Sequence, residues 1–210
     1  MTEPRVHVVD DDEAMRDSLK WLLESRGLEV ELYPSAEAFL RVFSVDLRGC
    51  LVLDVRMPGL NGLDLHQELQ RRASTLPVIF ITGHGDVPMA VSALKSGAAD
   101  FIEKPFNDQD LLGLIESCME QDRAAATKRA ENASVAQRLD SLTQREREVL
   151  DLIVAGKLNK QIADDLRISI KTVEVHRSRV MEKMGAESFA ELVQLALKAQ
   201  AQAERSGRNG

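Results

Sequence analysis

Six residues of this chain have the types and spacing for phosphoryl chemistry: the run Asp10-Asp11-Asp12, then Asp54, Thr82 and Lys104. Each ends or follows a short apolar run of strand length: Val6-His7-Val8-Val9, Cys50-Leu51-Val52-Leu53, Pro77-Val78-Ile79-Phe80-Ile81 and Asp100-Phe101-Ile102. Carboxylates brought together from two strands repel unless a cation sits between them or one takes a proton. Oxygen donors without a dedicated cage suit Mg²⁺, which keeps several waters and shares itself with a phosphoryl group. In such a site Asp54 is the nucleophile, Asp10 and Asp11 hold the metal, Lys104 neutralises one phosphoryl oxygen and Thr82 hydrogen-bonds another. The implied chemistry is phosphoryl transfer to a carboxylate. Helix caps and exposed loop carboxylates would explain any one of these residues, but not the whole set at successive strand ends.

The elements that must position them are legible in the pattern. A further strand pattern covers Leu28 to Leu32, and helix patterns cover Asp12–Arg26, Ala36–Phe43, Leu63–Arg72, Val87–Ser96 and Asp108–Glu120. Ser35 before Ala36, Gly27 after Arg26 and Gly97 after Ser96 supply boundary signals. Five strands alternating with five helices predict an α/β doubly wound parallel sheet covered on both faces, with its site at the carboxyl ends of the strands.

From Leu142 the pattern is wholly helical. Thr143 caps a helix through Val154, Gly156 ends it, and Asn159–Leu166 forms a short helix with Ile162, Ala163 and Leu166 on one face. Arg167-Ile168-Ser169 makes a tight turn into Ile170–Met184, and Gly185 separates this from a fourth helix over Ser188–Ala199. A short helix, a three-residue turn and a basic helix form a helix-turn-helix, whose second helix enters the DNA major groove. Val173, Val180 and Met184 fit its buried face, and the opposite face includes Lys171, Glu174, Val175, His176, Ser178, Arg179 and Lys183.

Charge divides the chain in the same way. The 210 residues carry a net charge of −7, but residues 1–120 have 11 basic against 21 acidic side chains and residues 121–210 have 16 against 13. At 44% apolar and 29% charged, the composition excludes disordered and fibrous classes. No apolar run has bilayer-spanning length and the acidic start does not read as a signal peptide, so a cytoplasmic protein without membrane contact is expected. Cys50 and Cys118, each among apolar residues, read as buried reduced thiols. His84 reads as an exposed loop histidine, with phosphoryl contact as the alternative, and neither His7 nor His66 shows a metal partner. The expected organisation is a first domain over 4–120, an Ala-rich helical linker over 121–138, an all-α domain over 139–200 and a disordered tail over 201–210.

The segments VVDDDEAMR, LVLDVRMPGLNGLDL, FITGHGD and DFIEKPF resemble the flavodoxin-like receiver domain of two-component response regulators, particularly the FixJ type. The segments LTQREREVLDLIVAG, NKQIADDLRIS and KTVEVHRSRVMEKMG resemble the LuxR/NarL-type DNA-binding domain. The first resemblance implies phosphorylation of Asp54 by a sensor histidine kinase. It also implies Mg²⁺, or Mn²⁺, held by Asp11, Asp54 and the main-chain carbonyl of Arg56, with Asp10 acting indirectly. Thr82 and Phe101 would form the switch, a cis Lys104-Pro105 peptide would aim the lysine, and Asp12 would be a neighbour or helix cap. The second implies base-edge contacts from Glu174, Val175 and Ser178 and phosphate contacts from Lys160, Lys171, Arg177 and Arg179, with Thr172 and His176 completing the DNA-facing set. Leu158 departs from the family's Ser or Thr cap, so capping there shifts to Asn159 or weakens.

Together the resemblances imply a transcriptional regulator that dimerises on phosphorylation and acts with RNA polymerase. Two other readings fit less of the sequence. A phosphohydrolase of the D-x-D type lacks its proton donor, because Arg56 stands where the second Asp belongs. A DNA-binding regulator using the first domain as a phosphorylation-independent interaction module leaves the intact acidic set unexplained.

Overall fold

A computed structural model of the chain describes residues 3–83, 91 and 93–207. They divide into two compact units, Met1–Ala126 and Thr127–Gly210. The first unit has strands β1 (Arg5–Val9), β2 (Val30–Tyr33), β3 (Gly49–Asp54), β4 (Val78–Thr82) and β5 (Asp100–Glu103). Between them run α1 (Glu13–Glu24), α2 (Ala36–Val42) and α3 (Gly62–Arg71), and α4 (Asp108–Asp140) follows β5. Half of the helix expected over 87–96 lies outside the described residues, as does His84; residues 91 and 93–95 are helical as expected.

All strand pairs are parallel, in the order β2-β1-β3-β4-β5. Alternate side chains of the sheet feed two cores. One face packs Leu51, Leu53 and Phe80 against Phe39 of α2 and Leu65 of α3. The other packs Val6, Val8, Val52 and Ile79 against Leu19 of α1 and Leu111 and Ile115 of α4. The central strand β3 is buried throughout, which accounts for its continuous apolar run rather than an alternating one. Cys50 and Cys118 are free and buried in the second core.

The Ala-rich segment is helical, but it is not a separate element. It continues the helix that starts at Asp108, giving 33 residues in one run. Asp122, buried within the first unit, accepts a bifurcated hydrogen bond from Arg48 Nε, at 3.0 Å to Oδ1 and 2.8 Å to Oδ2. Val135 is buried in the core of the second unit. The segment lacks a broad apolar face, so neither anchor is visible as periodicity: one is an isolated carboxylate and the other a single valine.

The second unit continues with α5 (Gln144–Val154), α6 (Asn159–Leu166), α7 (Ile170–Met184) and α8 (Phe189–Gly207) around Val149, Leu150, Ile153, Ile162, Val173, Val180, Met184 and Leu192. Its boundaries follow from local chemistry. Thr143 and Glu146 form a reciprocal capping box on α5, and Ser169 caps α7 through the amide of Thr172. Arg167 takes the left-handed conformation between α6 and α7, at φ 54. Helix α8 runs to Gly207, past the boundary expected at Ala199, because the Ala, Gln and Glu residues that follow favour helix without an apolar face. No helix among the described residues is long and apolar enough to cross a membrane.

Candidate functional site

The register of the sheet builds the acidic site. Val9 lies opposite Leu53 and Asp54 opposite Ile81, so the chain leaves β1 and β3 side by side with Thr82 on the next strand. Asp10 and Asp54 are both buried, at 2% and 7% exposure. Lys104, just after β5, reaches over both: its ammonium donates to Asp54 Oδ1 at 2.7 Å and to Asp10 Oδ2 at 3.2 Å. The Lys104-Pro105 peptide is cis. The other carboxylate oxygens are held by main-chain amides, Asp54 Oδ2 by Arg56 N at 2.8 Å and Asp10 Oδ1 by Asp12 N at 2.9 Å.

Burial pushes the Asp54 carboxyl above the usual carboxylate range, outweighing the ammonium beside it. Burial works against the Lys104 ammonium, but hydrogen bonding and attraction to Asp54, with help from Asp10, leave its pKa above the ordinary lysine value. The lysine therefore serves as the counter-ion that lets two buried carboxylates share one pocket.

The remaining residues stand at different distances from this centre. Asp11 is exposed, and Asp12 caps α1 through the amides of Ala14 and Met15. The Thr82 hydroxyl is buried and donates to the Gly83 carbonyl at 3.1 Å. Phe101 is half-buried on β5, opposite Phe80. Two contributors escaped the sequence reading. Arg16 donates to the Asp10 carbonyl at 2.7 Å, and Glu37 Oε1 accepts from Leu60 N at 3.0 Å in the loop after Arg56. In sequence both look like ordinary charged residues on a solvated helix face.

Among the described residues no three His, Cys, Asp or Glu side chains form a ready metal cage. The donor set still fits Mg²⁺, which asks for one or two carboxylates and keeps several waters. A buried carboxylate pair, an exposed Asp11 alongside and a main-chain carbonyl at Arg56 supply that kind of set.

The second candidate site is the exposed face of α7. Lys171, Glu174, Val175, Ser178 and Arg179 are exposed there, with Thr172 and His176 half-buried, and Val173, Val180 and Met184 lie in the core as the periodicity predicts. Partners sort the cations. Lys157 pairs with Asp165, and Lys183 bonds Glu146 Oε2 at 2.6 Å and the Ser141 carbonyl at 3.0 Å. Among the described residues, the side chains of Lys160, Arg167, Lys171 and Arg179 have no hydrogen bond or ion pair.

Arg177, grouped by sequence with the phosphate contacts, is engaged inside the domain. Its guanidinium donates to Asn159 Oδ1 at 2.9 Å and lies over the Phe189 ring at 5.1 Å. The same bond answers the capping question at α6. Asn159 is occupied by Arg177, Leu158 offers no side-chain acceptor, and Gln161 Oε1 takes the Leu158 amide at 2.9 Å instead. The buried Nδ1 of His176 has no partner among the described residues.

Comparison with known proteins gives the family. The model of the response regulator receiver domain matches residues 6–116, and that of the luxR family of bacterial regulatory proteins matches residues 140–196. The transcriptional regulatory protein FixJ of Bradyrhizobium diazoefficiens is 48% identical over 198 residues, covering 94% of this chain and 97% of that protein. The FixJ of Azorhizobium caulinodans is 52% identical over 194 residues, 91% of each.

The chain belongs to the FixJ-like two-component response regulators. A low-resolution structure of the response regulator StyR aligns with it at 44% identity and a TM-score of 0.86, covering 94% of this chain and 100% of that one. The acidic pocket thus lies in the receiver of a FixJ-like regulator, and α7 is the second helix of its LuxR-type helix-turn-helix. FixJ-like response regulators are transcriptional regulators rather than classical enzymes, and membership implies a histidine kinase as partner and DNA as target.

Proposed function

We propose that Asp54 takes a phosphoryl group from a sensor histidine kinase, and that this pairs two copies of the chain for sequence-specific binding of promoter DNA through α7. The observation that carries this reading is the Lys104 ammonium spanning Asp54 and Asp10. Ionised Asp54 is a nucleophile at the end of a buried strand, and an ammonium already stands beside any oxygen added there. The Thr82 hydroxyl, which donates to the neighbouring Gly83 carbonyl, can turn its proton toward a phosphoryl oxygen. Asp11, Asp54 and the Arg56 carbonyl, with Asp10 behind them, would hold Mg²⁺ or Mn²⁺, which supplies neutralising charge to the phosphoryl group.

A phosphoryl group adds charge that the Asp54 pocket lacks, and Thr82 and Phe101 lie on the strands that would register it. Pairing follows from the size of the DNA-binding unit. One short recognition helix buries too little surface for tight specificity, whereas two linked copies gain through effective concentration. Bound in this way, the dimer acts on RNA polymerase at the promoter.

The test is the solution mass by light scattering at micromolar protein with Mg²⁺, with and without beryllofluoride as a phosphoryl mimic. Wild type is expected to shift from monomer to dimer on beryllofluoride addition, and Asp54→Ala is expected not to. An unchanged mass in both proteins would overturn phosphorylation-driven pairing.

A further inference from the structure

Helix α7 carries two exposed acidic side chains, Glu174 in its amino-terminal part and Glu182 near its carboxyl end, and the setting of the first makes it informative. Glu174 is exposed, between Lys171 one turn before it and Arg177 one turn after it. Either cation could pair with it at that spacing. Neither does: the Glu174 side chain has no hydrogen bond or ion pair among the described residues, and Arg177 is drawn away by Asn159 and Phe189. Lys171 and Arg179 on the same helix, and Lys160 and Arg167 before it, have side chains without a partner among the described residues, and such cations suit a polyanion.

An unpaired carboxylate on a face that meets DNA cannot point at phosphates without repulsion. The groove floor offers it donors instead, and two bases present an exocyclic amine in the major groove. Adenine sets its amine beside the N7 acceptor, which repels the second oxygen of a carboxylate. Cytosine presents its N4 amine without an adjacent acceptor. Glu174 is also the fifth residue of α7, within the amino-terminal part of a recognition helix that reaches base edges.

We propose that Glu174 is a specificity-determining residue whose carboxylate accepts a hydrogen bond from the N4 amine of a cytosine in each half-site. This rests on the reading of α7 as the helix that enters the major groove, and it adds the base that one position of that helix selects.

The test is selection from random double-stranded DNA with the full chain in Mg²⁺ and beryllofluoride, for wild type, Glu174→Gln and Glu174→Ala. Affinities are then measured at fixed salt for the selected site and its single-position variants. Wild type is expected to require cytosine at one position per half-site, with a loss of roughly tenfold or more for other bases. Glu174→Gln should move that position toward adenine, which matches an amide side chain, and Glu174→Ala should leave it degenerate. Because Glu174 is exposed and unpaired, both variants should keep the wild-type melting temperature.

Identical selected sites for all three proteins would overturn the proposal. So would a uniform gain in affinity for every sequence in Glu174→Gln, since that would mean the carboxylate faces the phosphate backbone. If wild type enriches no sequence at all, the reading of α7 as the DNA-reading helix falls, and the proposal falls with it.

Discussion

Arg177 shows how a hydrogen-bond partner changes the meaning of a residue. By type and position it belongs with Lys171 and Arg179, yet its guanidinium is committed to Asn159 and Phe189, while the charged ends of those two have no partner among the described residues. Binding of the full chain to duplex DNA, followed by fluorescence anisotropy across a salt series, should separate the two roles. Lys171→Ala and Arg179→Ala should each reduce the slope of log affinity against log salt by about one. Arg177→Ala should leave the slope unchanged, weaken binding at every salt concentration, and cost about 1–2 kcal/mol in stability of the second unit. A slope change in Arg177→Ala equal to that of Lys171→Ala would return it to the phosphate set.

Glu146 carries a pH dependence of definite sign. Its carboxylate is held by the Lys183 ammonium and by the Thr143 amide, which bring its pKa down to about 2. A depressed carboxylate contributes stability that is present above its unfolded value and is lost as pH falls toward the folded one. Glu146→Gln should therefore melt below wild type at pH 6, by roughly 1–2 kcal/mol of stability. The gap should narrow as pH drops from about 5 to 3, as followed by calorimetry of the transition of the second unit. A gap that widens on acidification would contradict the assignment.

At the scale of elements, the acidic site depends on how closely α3 returns to the end of β3. Gly62, the first residue of α3, donates its amide to the Val55 carbonyl at 3.1 Å. A Cβ built there overlaps the Asp54 carbonyl oxygen and falls 3.1 Å from Val55 Cα. These are backbone atoms at the end of the strand that carries Asp54, so no side-chain rotation relieves the overlap. Gly62→Ala should cost about 1–3 kcal/mol and lower the rate of phosphorylation by a small-molecule phosphodonor by displacing Asp54. Thermal unfolding and a phosphorylation time course check both effects, and an unchanged rate would show that the strand end tolerates the shift. Glu37 acts on the same loop from α2 through the Leu60 amide, so the loop beside Asp54 is fixed from two helices.

At the scale of the whole molecule, the boundary between receiver and linker is chemical rather than compositional. Asp122 sits beyond the expected domain end at residue 120, yet it is 1% exposed and bonded at both oxygens to Arg48, 74 residues away. A fragment of residues 1–120 keeps Arg48 and loses its carboxylate, whereas residues 1–126 keep the pair. The shorter fragment should be less stable in urea by about 3 kcal/mol, the scale for breaking a buried pair on one side only. Equal stabilities would show that water replaces Asp122 without loss.

The sequence by itself determined the two fold classes, the helix-turn-helix and the placing of Asp10, Asp54, Thr82 and Lys104 at strand ends. These rest on local rules: a period of two for strands, 3.6 for helices, and capping residues such as Thr143 and Ser169 at their ends. Tertiary structure decided which charges meet. Lys104 between Asp10 and Asp54, Arg16 on the Asp10 carbonyl, Glu37 on the Leu60 amide, Arg48 with Asp122 and Arg177 with Asn159 each join residues on different segments. Local periodicity records which face of an element a residue occupies. The partner it finds there depends on how separate elements pack, and the hydrogen bonds formed then fix which cations stay free for a ligand and which hold the fold.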